Sequence, residues 1–569
     1  MTVTTSSFTR LSHPSWRQRW CPPSIAPLGG LWLVFALSAA WVWHEWGDGG
    51  WPVGSFWWDE LALSGAAQAI HQGLIPARDF WAPFILPLYM KYWAQSLVGA
   101  GPGYVLECLL QGVLVLLLLT LLLGRRRHMG GVYVLGALAV AMAVMPFNIG
   151  SVVTAKPGTV VFAGVYNRLG GALIMLALLL PVVRDDDSRD RSISVWLSFL
   201  LAVAFLVKIT VAQVVFGVVV LYGVVRHDRA WLRMVLMAVL FACGWLGLVF
   251  SVLGAGPGYL EALKVVSAVR MNLLRERMEW ARDVLSYHRL ELFILVFIAL
   301  LTVCRGYLLR IRWAGLLIWY LAACTMVTLY MLTNFGDNGF FPAVAVVYTL
   351  LVLFDRNADG CHASDVRDQR RVRLLGRIST GILTLVLLAY VSLNGLWMVQ
   401  FSLSQRNAVL SHFPVKSSFF AGNYLIDESA WRQHLPIQIG GVPRNMQSQA
   451  VFGSYVDGLD EAAQFLTSRV PDRAKSVYAL DFPAYVFSLA EGYRVPRDTY
   501  PWLLFGHEIT IDVHPKADAL LSDVDVLMVP KCSLSGGNRR YLSRLYRLEM
   551  EKRWSQIGVL RCWDVYLRR

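Results

Sequence analysis

An acidic pair, Asp59-Glu60, stands among tryptophans in FWWDELALSGAAQAIHQGLIPARDFWAPFILPLY, Phe56 to Tyr89, and a third acid, Asp79, follows one short helix later. Carboxylates beside a membrane span are costly unless paired or wet, so position alone marks them as candidates for function. A carboxylate can take the proton of an attacking hydroxyl, worth about 10²–10⁴ in rate. It can equally hold a divalent cation. Trp57 and Trp58 offer flat apolar faces to a sugar ring or a headgroup. The same residues also have a structural reading. An Asp-Glu pair opening a helix over 61–73 complements the helix dipole, and the tryptophans form an interfacial belt. Gly73 is expected to end that helix, and Asp79, next to Arg78, is equally readable as half of a local ion pair. His71 could join Asp59 or Glu60 at a metal, although a lone His is more often a surface group.

Cations form the second group. Lys208 interrupts two apolar halves and must reach water or an anion. Lys156 and Arg168, with Tyr166 and Asn167 before the latter, are further candidates. Segment 254–290 is unusually basic, and Val266, Val269, Leu273, Trp280, Val284 and Tyr287 mark a helical apolar stripe suited to an interface. Arg270 and Arg277, seven apart, share one face of it, with Arg275 and Arg282 nearby. They suit either a phosphate clamp or ordinary anionic headgroups. In NFGDNGFFP, Asp337 and Asn338 form either a turn or a contact for sugar hydroxyls. No HExxH, GxSxG or P-loop pattern is present.

The elements that must position these groups are membrane helices. Of 569 residues, 56% are hydrophobic and only 16% charged, against about 25% charged in a soluble domain. Apolar runs near 29–46, 104–123, 131–147, 167–183, 195–207, 209–225, 231–253, 290–304, 314–332, 340–354 and 377–399 give about 11 spans by the length rule. The net charge of +14 lies largely in short loops between these runs, which argues topology and lipid contact rather than nucleic acid. With a cytoplasmic N-terminus, the segments on that side carry roughly twice the basic residues of the other, as the positive-inside rule requires. Residues 1–28 are then a cytoplasmic arm and 29–400 the membrane domain. The first loop (47–103), the segment 254–290 and the tail 401–569 share the outer face.

The tail differs in composition. GLDEAAQFLTSRVP and RRYLSRLYRLEMEKRW read as helices, SVYAL and DVLMVP as buried strands, and VLRCWDVYLR as one closing strand. The fold class expected is mainly α: a polytopic helical bundle with a small C-terminal α/β extracytoplasmic domain. Cys108, Cys243, Cys304 and Cys324 fall in or beside apolar runs and read as buried small hydrophobes. Cys532 and Cys562 pair if the tail faces an oxidising compartment, and are core residues otherwise.

The order DE, helix, Gly, P-x-R-D-F and P-x-x-x-P-L-Y resembles the first outer loop of the GT-C superfamily, membrane glycosyltransferases that include the protein mannosyltransferase and aminoarabinose transferase families. YNRLGGAL (166–173) and FLVKIT (205–210) are similar to bacterial members. The resemblance spans about residues 29–400. It implies an inner-membrane enzyme that takes a sugar from a polyprenyl-phosphate donor and delivers it to a lipid, glycan or protein acceptor. On it, Asp59 corresponds to the catalytic base or acceptor-positioning acid and Asp79 to a second, downstream acid. Glu60 would support them, Lys208 and the Arg residues would bind the phosphate, and a divalent cation stays open. A transporter or lipid flippase, and a non-catalytic subunit of an envelope-assembly complex, are the rival expectations.

Overall fold

A computed structural model of the protein describes residues 26–46, 51–52, 57–123, 130–144, 165–183, 190–272, 296–297, 300, 314–333, 345–350, 412–414, 424–427, 450–503, 509–532 and 538–569. In chain order these form α1 (Ala26–Trp46), β1 (Trp51–Pro52), α2 (Trp57–His71), α3 (Leu86–Val98), α4 (Ala100–Leu123), α5 (Gly130–Val144), α6 (Val165–Val183), α7 (Asp190–Val207), α8 (Ile209–Val225), α9 (Arg229–Leu253), α10 (Gly256–Asn272) and α11 (Ala314–Thr333). The tail adds β2 (His412–Pro414), β3 (Tyr424–Asp427), α12 (Ala450–Arg469), β4 (Val477–Ala479), α13 (Val486–Glu491), α14 (Ala517–Leu520), β5 (Val526–Pro530), a π-turn (Asn538–Leu542), α15 (Ser543–Arg553), β6 (Trp554–Val559) and β7 (Trp563–Arg568).

Three helices, Pro102–Leu123, Tyr166–Val183 and Arg229–Leu253, are long and apolar enough to cross a membrane, and shorter apolar helices accompany them. Their surfaces place them in a helical membrane bundle. Helix α6 is buried from Asn167 to Val183. Gly170 makes this central position available, because a Cβ there would meet the Tyr330 hydroxyl at 2.4 Å and Val211 Cγ2 at 2.6 Å. Helix α9 instead exposes an apolar side, with Leu236, Leu240, Leu248 and Val252 all more than half exposed, as a lipid-facing helix does. Cys243 lies on α9 and is exposed, contrary to the buried role expected from its apolar neighbours, while Cys108 is buried. Cys304, the expected span at 377–399, and most of those at 290–304 and 340–354 lie outside the described residues.

The contacts fix which ends of the helices coincide. Ser194 near the start of α7 donates to Met234 O near the start of α9 at 3.3 Å, and Phe205 meets Phe250 near their other ends. These two helices are therefore parallel. Helix α8, which lies between them in sequence, runs back the other way, its far end joined to α9 by the turn at 226–228, with Trp231 Nε1 donating to Val219 O at 2.7 Å. Thus α7 and α8 form a helical hairpin whose whole turn is Lys208, in extended conformation (φ −171°, ψ 132°). The start of α6, the end of α11, α3 and the first turn of α4 lie at that same end, since Tyr330 donates to Asn167 O at 3.0 Å and Arg168 reaches Tyr104 at 3.2 Å.

In the tail, a four-stranded sheet of order β4-β5-β7-β6 pairs β4 with β5 in parallel and the others antiparallel. SVYAL and DVLMVP fall on β4 and β5 as expected. The single closing strand is instead a hairpin, β6 turning into β7. Strand β6 (WSQIGV) follows α15 with no Gly or Pro between them and buries fully only its first residue, so no alternation announced it. Helix α12 begins at Ala450, eight residues before the Gly458 of the expected start, and α2 at Trp57 rather than 61. Cys532 and Cys562 form a disulfide that ties the segment after β5 to the β6–β7 turn.

Candidate active site

Asp59 and Glu60 both lie in the first turn of α2, yet their surroundings differ. Glu60 is buried and turned into the bundle. Its carboxylate accepts from Lys91 Nζ of α3 and from Ser64 Oγ at 3.2 Å, and Gln95 Nε2 in turn donates to Ser64 Oγ at 2.7 Å. Lys91 also lies 3.3 Å from Glu107 Oε2 of α4 and over the Tyr104 ring at 5.2 Å. Burial alone would pull Lys91 down, but Glu60 and Glu107 outweigh it and keep the ammonium charged. Arg168 completes the group, fully buried, donating from Nη2 to the Tyr104 hydroxyl at 3.2 Å with Cys108 Sγ at 3.8 Å. Two acids and two bases are therefore gathered within the bundle, where buried ionisable groups need partners.

Among the described residues, no lysine is clasped to Asp59 in this way. It keeps partial access to solvent while protein closes around its carboxyl group. Burial first, and the neighbouring Glu60 second, push that carboxyl up to about 7, against the opposing pull of Lys208. A carboxyl poised near neutrality can take up and release a proton at working pH. Lys208 lies at the hairpin apex, its Nζ donating to Asn167 Oδ1 at 3.1 Å and standing 5.0 Å over the Tyr166 ring. Phe84 of the first loop stacks on the same ring at 4.7 Å, and Ile85 N donates to Leu206 O at 3.0 Å. The loop thus sits on the apex, and the acid and the lysine belong to one electrostatic site.

Asp79 is locked in a turn. It accepts from Ile75 N at 2.8 Å and from Arg78 Nη2 at 2.7 Å. Burial would raise its carboxyl, but these two bonds together with the positive charges of Arg78 and Arg497 outweigh burial and hold it below the ordinary value. The turn places Ala77 at φ +62°, a conformation that the surrounding contacts must enforce. Gly73, at φ +86°, ends α2 as expected.

The structure therefore brings together Asp59, Glu60, Arg168 and Lys208 at one end of the bundle, with Asp79 in the loop that covers it. Arg270 lies in the last turn of α10, where only its backbone is described; only the backbone of Trp58 is described as well. Lys156, Arg277, Asp337 and Asn338 lie outside the described residues. His71 is exposed at the other end of α2, roughly 18 Å of helix from Asp59. Among the described residues, no three His, Cys, Asp or Glu side chains are grouped to hold a metal ion. Sequence reasoning missed Lys91 and Glu107 as partners of Glu60. The available signal was one charge of each sign within apolar helical stretches, MKYW and VLECLL.

No family model and no curated protein matches the chain. A solved structure, ArnT from Cupriavidus metallidurans bound to undecaprenyl phosphate, is similar over 94% of this chain and 98% of its own, with 12% identity and a TM-score of 0.38.

Proposed function

We propose that the protein is a membrane glycosyltransferase that moves a sugar from a polyprenyl-phosphate carrier to a hydroxyl or amine of a lipid, glycan or protein. The reaction takes place on the extracytoplasmic face of the cytoplasmic membrane, with inversion at the sugar C1. The observation that carries this reading is a buried carboxyl held near neutrality, Asp59, sharing one site with a lysine at the apex of a membrane hairpin. The Cys532–Cys562 disulfide in the tail supports the extracytoplasmic assignment.

In this mechanism the acceptor oxygen or nitrogen attacks C1 and its proton passes to Asp59. The bond from C1 to the phosphate oxygen breaks, its electron pair leaves with the phosphate, and Lys208 meets the growing negative charge. Glu60, neutralised by Lys91, supports Asp59 by fixing the turn they share and by raising its basicity. Asp79 braces the loop above. Arg270, Arg277 and Lys156 add positive charge for the donor, and Arg168 acts through the buried charge cluster. Trp58, Asp337 and Asn338 supply sugar contacts. Apolar walls exclude water, which protects the donor from hydrolysis.

Replacing Asp59 with Asn tests the reading in membranes supplied with polyprenyl-phosphate-linked sugars. Loss of transfer with donor binding retained is the expected result. Unchanged transfer would move the assignment to a transporter, which the buried ion cluster would also suit, or to an assembly subunit. Mass spectrometry of envelope glycolipids from cells with and without the gene identifies the sugar and the acceptor.

A further inference from the structure

Helix α2 lies between two bodies. Its first turn is gripped by the bundle through Glu60 and Lys91. The rest of it is gripped by the tail. The side that faces the tail is made of small residues, Ala62, Gly65, Ala66 and Ala69, spaced at i, i+3, i+4 and i+7. Gly65 lies directly on Tyr485, so that a methyl there would meet Tyr485 Cβ at 3.0 Å and its carbonyl carbon at 3.5 Å. Ala62, Ala66 and Ala69 belong to one buried cluster with Tyr478, Tyr485 and Leu503 of the tail.

Just past the helix end, the Gln72 amide bridges two backbone groups of the tail. Its Nε2 donates to Tyr493 O at 2.8 Å, and its Oε1 accepts from Val495 N at 2.8 Å. The loop beyond continues the seam. Trp81 N donates to Thr499 O at 2.9 Å and Asp498 N to Asp79 O at 2.8 Å, while Trp81 stacks on Tyr500 at 4.9 Å. Strand β1, just before α2, pairs in parallel with Tyr424 and Leu425 of β3.

We propose that the C-terminal unit positions the Asp59 carboxyl, with Gln72 and the Gly65–Tyr485 contact fixing α2 so that its first turn stays closed against the bundle. Gln72 is a positioning residue. It lies roughly 20 Å of helix from Asp59 and acts through the rigidity of α2. The tail is then a structural part of the reaction site, not an appended module. Charged groups that act on Asp59 come from other elements as well: Glu60 on α2, Lys208 between α7 and α8, and behind Glu60 the group Lys91, Glu107 and Arg168.

The test uses the full chain in lipid nanodiscs and needs no sugar donor, so it stands or falls apart from glycosyl transfer. Dicyclohexylcarbodiimide modifies protonated carboxyls in apolar surroundings, and fragment mass spectrometry reads its extent at Asp59 across pH 4 to 10. In the unaltered protein and in Leu316→Ala, a cavity at the start of α11, the end of the bundle away from Asp59, the labelling midpoint is expected to lie near 7. In Gln72→Leu, which cuts both bridging bonds, and in Gly65→Leu, which wedges α2 off Tyr485, water reaches the first turn. There the midpoint is expected to fall by at least one pH unit. An unchanged midpoint in both variants overturns the proposal, as does an equal shift in Leu316→Ala or a midpoint of about 4 in the unaltered protein.

Discussion

If Asp59 is the base, the pH profile of transfer carries its signature, and Lys208 sets where that signature falls. With the Asp59 carboxyl at about 7, about one-tenth is ionised at pH 6 and about nine-tenths at pH 8. The value of kcat/KM in the unaltered protein therefore rises about tenfold between these pH values and then levels. Lys208 opposes burial and Glu60 at this carboxyl, so Lys208→Met moves the acid limb to higher pH. A shift of one unit would leave about one-tenth ionised at pH 7 in place of half, a loss of about fivefold. The same substitution removes a cation from the donor phosphate, a loss that more alkaline pH does not repair. Full profiles of both proteins, measured in nanodiscs at saturating acceptor, separate the two effects. The base component recovers by about pH 9, and the phosphate component persists as a raised KM for the donor. A limb near pH 4 in the unaltered protein, or one that Lys208→Met leaves in place, would refute the reasoning.

Three further outcomes follow from the same geometry. Asp59 binds its proton more tightly folded than unfolded, so its favourable effect on stability is complete below pH 3.8 and is lost as pH rises through about 7. Asp59→Asn should therefore unfold at a higher temperature than the unaltered protein at pH 8, by at most about 4 kcal/mol, with the gap closing toward pH 4. Lys91→Met strands Glu60 and Glu107 in the bundle without a lysine between them. It should cost about 3–5 kcal/mol, read by thermal unfolding in nanodiscs, with partial recovery in Lys91→Met/Glu60→Gln. Reducing Cys532–Cys562, which are 30 residues apart, should lower tail stability by about 2–4 kcal/mol, visible as faster proteolysis of the tail.

What was legible in the sequence was decided by how local the cause is. The apolar runs, Gly73 as the end of α2, and β4 and β5 all follow from composition or from one residue's conformational needs. Lys208 was legible as an interruption, because a charge between apolar halves has to be somewhere special. Whether it would snorkel to water or face the cavity was not, since that depends on where α6 places Asn167 and Tyr166. The fate of Glu60 was likewise hidden, because its partners Lys91 and Glu107 lie 31 and 47 residues away and meet it only through the packing of three helices. The seam between α2 and the tail left one trace, the small-residue stripe in LALSGAAQA, but its partner Tyr485 lies more than 400 residues further on.

Helix geometry answers why two acids stand side by side. Consecutive residues on a helix diverge by about 100°, so one turn can present adjacent carboxylates to different surroundings. Glu60 faces the bundle and pairs with Lys91, which ties α2 to α3 and α4. Asp59 is directed elsewhere, and the charge on Glu60 is one of the two causes that raise it. The pair is thus asymmetric by construction, one acid spent on position and the other kept near neutrality. Exchanging the two residues would keep composition, net charge and helix dipole. It would still abolish transfer if this division of labour is right, because a shorter carboxylate at position 60 falls about one methylene short of Lys91 and a longer one at 59 overreaches its pocket. A swapped protein that transfers sugar at the original rate, with its acid limb still near pH 7, would show that the turn needs only two negative charges and that neither residue has a role of its own.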